Sequence, residues 1–211
     1  MIAIAIGGAA LTLIGALSLG LWSPPAAVLE SSTPPLAPPA TDNDSGMCLP
    51  SGDGFLQARL DGALQMRLDW KNDGTECDGM PRPEGNGIRV SFSHPLDDEG
   101  RKLLIVFGIA GLSESSSGRA LPANLTIIEE GGQQIYSTLG DDKCVMDELT
   151  QQLITPWSPE SRTYRVSARG FCMQPARAVG GRDGVLMSSF DFAGQVKYGD
   201  SVAPAPRESG A

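Results

Sequence analysis

FLQARLDGALQMRLDW, residues 55–70, is the stretch whose reading decides the fold. Leu64, Met66, Leu68 and Trp70 alternate with Gln65, Arg67 and Asp69, a period of two that gives a strand one apolar and one wet face. Asp61-Gly62 separates this run from residues 55–60, and Asp-Gly is a strong two-residue hairpin signal because both central positions need positive φ. A hairpin turning at 61/62 pairs residues whose numbers sum to 123. Position 48 then falls opposite 75, two residues short of Cys77, so the open end of the hairpin favours a Cys48–Cys77 disulfide. By remainder, Cys144 pairs with Cys172.

The same period recurs outward from that hairpin. Ile88, Val90, Phe92 and His94 alternate over residues 88–94 until Pro95 stops them. Residues 103–112, LLIVFGIAGL, are too few to span a bilayer and read as a central strand covered on both faces. Residues 124–129 and 133–138 flank Glu130-Gly131-Gly132 as a second hairpin. Tyr164, Val166 and Ala168 share one face of residues 163–171, and residues 185–192 and 195–198 form strands bent at Gly194. Val145, Leu149 and Leu153 follow Asp142 at helical spacing, which predicts one short helix ended by Pro156. The expected architecture is all-β: an antiparallel sandwich or barrel of about eight strands plus that helix. Its core would draw on Leu64, Leu68, Trp70, Val90, Phe92, Ile105, Phe107, Ile127, Ile135, Val166 and Phe190.

The ends of the chain carry the compartment. Residues 1–22, MIAIAIGGAALTLIGALSLGLW, contain no charge, and about 20 apolar residues at about 1.5 Å each match a bilayer core. Pro24-Pro25 closes the run and Trp22 stands where an interfacial aromatic would, which favours a signal anchor. Ala16-Leu17-Ser18 keeps a cleavable signal peptide open. The first basic residue is Arg59, so nothing holds the following segment in the cytoplasm and the C-terminal bulk is expected to be exported. Residues 23–46 are a Pro/Ala/Ser/Thr-rich spacer, residues 47–202 the β domain and residues 203–211 a polar tail.

A net charge of -9 argues against nucleic acid and against anionic membrane surfaces as partners. None of the 4 cysteines lies in a CxxC pair or near a histidine, so zinc spacing is absent and two disulfides are expected in an oxidising compartment. Each would close a loop of about 30 residues and contribute on the order of 3 kcal/mol.

Chemistry-bearing residues are sparse. His94 is the only histidine, and Asp97 or Asp98 could orient it as a hydrolytic base. No serine occupies a GxSxG elbow; Ser113 has Gly111 before it but Ser115 after it. Asp97, Asp98 and Glu99, Asp141 and Asp142, and Asp73 and Asp78 are acidic turns that could reach calcium only by converging. Arg82 between two prolines and Trp157 beside Pro156 suit exposed recognition, and Asn124-Leu125-Thr126 matches a glycosylation acceptor. The combination implies a non-enzymatic binding or scaffolding module of the cell envelope. It would be membrane-tethered through residues 1–22, without a cofactor, and would meet an envelope protein or glycan. A secreted hydrolase using His94 or paired acids, and a calcium-dependent adhesion module, are the alternatives. The anchor reading predicts a mature chain that retains residues 1–22 in membranes, checked by intact mass; a chain beginning at Leu19 would make it a free protein.

Overall fold

Tertiary structure comes from a computed structural model, which describes residues 47–199 apart from 84, 85, 99, 133 and 155–160. The leader, spacer, tail and Trp157 lie outside the described residues. Among the described residues, eleven antiparallel strands form one sheet that closes on itself like a barrel. In chain order they are β1 (Phe55–Gly62), β2 (Met66–Lys71), β3 (Glu76–Pro81), β4 (Gly87–Pro95), β5 (Lys102–Ala110), β6 (Gly118–Glu130), β7 (Gln134–Ser137), β8 (Cys144–Leu153), β9 (Ser161–Cys172), β10 (Ala176–Ala178) and β11 (Gly184–Gly199).

The opening hairpin forms, with its turn displaced. Phe55 pairs with Lys71 and Leu60 with Met66, so paired numbers sum to 126 and the loop occupies residues 63–65 instead of Asp61-Gly62. Gly62 still takes the positive φ expected of it, but it ends β1 by pairing with Val185. The competing partner, β11, thus claims the residues that local turn chemistry assigned to a two-residue turn. Alternation survives: Leu68 and Trp70 are buried while Arg67 and Asp69 are exposed.

β11 organises the sheet. One of its edges pairs with β1 over residues 185–193, and the other pairs with β10 at Val185 and Gly184 and with β9 over residues 190–199. β9 continues to β8, β8 to β6, and β6 to β5, β4 and β3 in turn. The short β7 and β10 make a second bridge between β6 and β11. Past residue 193, β11 has lost β1, and β3 packs there instead: Gln195 Nε2 donates to the Cys77 carbonyl at 3.2 Å. Gly79 makes this approach possible, since a Cβ there would lie 2.3 Å from the Gln195 carbonyl oxygen and 2.7 Å from Val196 Cγ2.

Both expected disulfides are present, Cys48–Cys77 and Cys144–Cys172. The first sits at the fork where β1 departs from β11 and β3 arrives, with Cys48 Sγ 3.6 Å from the Ala193 carbonyl oxygen. Asn72, buried just after β2, holds the preceding segment in place: its Oδ1 accepts from Leu49 N at 2.8 Å and Gly54 N at 3.0 Å. The second disulfide joins residues directly opposite one another on β8 and β9.

Two sequence expectations fail here. The short helix does not form; its residues are β8, and no described residue is helical. The β8–β9 register slips between Met146 and Glu148, so the buried residues run Cys144, Met146, Leu149. Val145, Leu149 and Leu153 are four apart, a spacing that a strand face shares with a helix face, and of the three only Leu149 is buried because the slip puts Val145 on the opposite face. Ile135 is the second: it is exposed, because its neighbour Tyr136 opposes Ile127 and fills the interior. Leu64 is half-buried against the core, and the remaining expected core residues are buried. Phe107 bridges the two sides, its ring centroid 4.8 Å from that of Phe190 and 5.0 Å from that of Phe192. The double change C48S/C77S is expected to cost about 3 kcal/mol in urea unfolding. G79V is expected to cost about 2–3 kcal/mol by forcing β3 off β11.

Candidate functional site

His94 sits at the end of β4, half-buried, with its ring stacked on Trp70 at a centroid distance of 5.0 Å and an interplanar angle of 13°. Nδ1–H donates to the Pro95 carbonyl at 2.7 Å. Asp97 does not orient it, since its carboxylate holds Arg101 Nε at 2.6 Å. Asp98 is exposed in the same turn. A base needs its orienting acid within hydrogen-bond reach, and the packing against Trp70 spends the imidazole on the hairpin end instead.

Asp141 and Asp142 are likewise met by cations of their own neighbourhood, and Asp78 lies 4.0 Å from Lys197 Nζ. Asp141 Oδ1 accepts from Arg82 Nη1 at 3.0 Å and Asn124 Nδ2 at 2.7 Å, and Asp142 pairs with Lys143. No group of three metal-ligating side chains occurs among the described residues. Arg82 is therefore no exposed recognition residue: its side chain is about four-fifths covered and clamps the segment after β3 to the β7–β8 connection. Asn124 lies over Gly108, where a Cβ would meet its Oδ1 at 2.5 Å, so the glycosylation acceptor amide is engaged in packing and in the Asp141 bond.

What the fold does assemble is a polar band on the outer face. Strand register places Asp69 of β2 opposite Gln57 of β1, Gln57 opposite Asp191 of β11, Asp191 opposite Arg169 of β9, and Arg169 opposite Glu148 of β8. Arg119 of β6 extends the row beyond Glu148. Gln57 Nε2 donates to Asp69 at 3.0 Å, and Glu148 accepts from Arg169 Nη2 at 3.0 Å and from Arg119 Nη2 at 3.4 Å. An open depression of about 490 Å³ lies between Gln57, Arg59, Arg67, Asp69, Ser189 and Asp191. A second, of about 190 Å³, shares Asp191 and runs on between Ser167, Arg169, Glu148 and Thr150. His94 lines neither.

Asp191 is held above the ordinary aspartate range. Protein atoms crowded around it disfavour the charged form, and the Arg169 guanidinium offsets that only in part. Asp69 and Asp61 are held low, by Lys71 and by Ser188 first of all. Across the molecule, Glu114 is held low chiefly by a two-point bond from Arg162, at 2.5 and 3.0 Å. Burial pushes the nearby Tyr198 up to about 12, and its hydroxyl donates to Gln151 Oε1 at 2.9 Å. Gln151 in turn donates to the Ser113 and Ser116 carbonyls and fixes the loop before β6.

Sequence reading found the wet face of the first hairpin, Gln65, Arg67 and Asp69, but not its continuation. Ser189, Asp191, Ser167 and Arg169 alternate with apolar neighbours too, yet only long-range register lines them up with residues 57–69. Comparison with protein-family models, with curated proteins and with solved structures gives no match.

Because a raised aspartate binds its proton more tightly folded than unfolded, its penalty is present above the folded pKa and vanishes below the unfolded one. D191N should therefore raise Tm slightly at pH 7 and leave it unchanged near pH 3, measured by differential scanning calorimetry; the exposure of Asp191 keeps the effect small. The opposite holds at Glu114, whose folded pKa is depressed. Its stabilisation is full above the ordinary glutamate pKa and is lost as pH falls through the lower folded value, so E114Q should be destabilising at pH 7 and progressively less so as pH falls below the ordinary glutamate range.

Proposed function

We propose that this chain is a non-enzymatic binding module of the cell envelope, exported and tethered through residues 1–22, whose ligand is a glycan laid along the polar band of the outer sheet face. The observation that carries the reading is the row Asp69, Gln57, Asp191, Arg169 and Glu148, which runs unbroken across five strands. Carboxylate, amide and guanidinium groups are planar and offer two adjacent donors or acceptors each, the arrangement that chelates neighbouring hydroxyls of a sugar. Rigid strands hold them, so little side-chain ordering is left to oppose binding. The groove is open and shallow, which suits one side of an extended polymer better than an enclosed small molecule.

The compartment supports the same reading. Two disulfides with no free cysteine among the described residues fit an oxidising environment, where glycans of an envelope are met. The hydrolase alternative is disfavoured by His94, which is stacked on Trp70 and bonded to its own strand end instead of to a carboxylate. The calcium alternative is disfavoured by the arginine and lysine partners of Asp97, Asp141 and Asp142.

An array of envelope polysaccharides and their oligomers, followed by calorimetric titration, checks the reading. D191A and R169A should each weaken binding about tenfold or more while H94A leaves it unchanged. Turnover of any bound glycan that H94A abolishes, or affinity indifferent to both groove changes, would overturn it.

A further inference from the structure

Closing the sheet disposes of one terminal strand and leaves the other. β3 ends the strand order on one side and is covered by β11, through Gly79 and the Gln195–Cys77 bond. β2 ends it on the other, and among the described residues β1 is its only hydrogen-bonded neighbour. A strand edge with an unpaired row of N–H and C=O groups is a template for another strand, and natural proteins blunt it with bulges, prolines, charged side chains or a short strand. β2 has neither proline nor bulge over Met66–Lys71. Its charges are Arg67, Asp69 and Lys71, all on the outer face.

Those charges select a partner. If two copies of β2 pair antiparallel about a twofold axis, outer residues stay outside only when paired numbers have an even sum, since an odd sum sets Arg67 beside the apolar Leu68 of the other copy. A sum of 134 places Arg67 against Arg67, and a sum of 138 places Asp69 against Asp69 and Arg67 against Lys71. A sum of 136 instead places Arg67 against Asp69 twice, Gln65 against Lys71, Met66 against Trp70 and Leu68 against itself. Every cross-strand pair in that register is complementary, and directly opposed residues are where charge sign counts most in a sheet.

We infer that β2 is a self-recognition edge, and that two copies of this chain join through it in a twofold antiparallel pair centred on Leu68. The contact is isologous, so it closes at two copies and does not propagate into a fibre. The sheet then continues from one copy into the next, and the outer polar band of each copy meets that of the other at Arg67 and Asp69. The pairing stands independently of what the band binds.

Full-length chain in detergent solution, without glycan, tests this by sedimentation velocity over about a hundredfold dilution and by hydrogen exchange of the β2 amides over the same range. Wild type is expected to pass from dimer to monomer, with β2 amide protection falling in step. R67D and D69R should each weaken the dimer at least about tenfold, by opposing like charges twice, and R67D/D69R should restore it to within about threefold of wild type. A dimer whose affinity ignores the single reversals, a double variant that stays as weak as the singles, or β2 protection that does not vary with concentration would each overturn the inference. The exchange measurement uses wild type alone, so misfolding of a variant does not blunt it.

Discussion

The seam between β3 and β11 is the constraint on which the rest of this fold depends. β11 carries β1 on one edge only as far as Ala193, and its remaining residues would present an open edge beside the core. β3 fills that position, but its backbone can come close enough only because Gly79 has no side chain to meet the Gln195 carbonyl. Cys48–Cys77 then ties β3 to the segment that leads into β1, at the fork between the two. With the seam shut, Phe92, Phe107, Phe190 and Phe192 close over one another in the interior. Opening it would expose those rings together with a strand edge.

That closure also determines the outer face. A closed sheet turns every second residue outward, and on β2, β1, β11, β9 and β8 those residues fall into cross-strand register. The band they form is not tuned for stability. Arg59 stands directly opposite Arg67, a like-charge pair that a sheet otherwise avoids, and Asp191 is held in a setting that disfavours its charge. Surface ion pairs contribute little in general, so the row adds little to the stability of the fold.

Much of the strand content was legible because it is local. Period-two alternation located β4 and β9 and the face that β2 buries, a continuous apolar run located β5, and the hairpin argument gave both disulfide pairings. It gave the first pairing with the wrong register: the turn lies at residues 63–65, and Cys77 reaches Cys48 from β3 and not across the hairpin end. The tolerance of the disulfide inference comes from its coarse demand, that two segments meet within a few residues. The helix expected after Asp142 failed because residues four apart share a face in a strand as well as in a helix, and the pairing of β8 with β9 decides between them. Arg82 read as exposed between its prolines, and its partner Asp141 lies 59 positions away.

The sequence by itself determined the all-β class, the strands that alternate and the cysteine pairs. These follow from nearest neighbours, composition and period, which a chain carries before it folds. Tertiary structure alone decided which strands lie side by side, and hence the barrel closure at Gly79, the fate of His94 against Trp70 and the alignment of the polar band. Register is a property of pairs of segments far apart in number, and a shift of one residue moves every side chain to the other face. A site built from one residue per strand across five strands therefore has no local signature, and only the folded sheet brings it together.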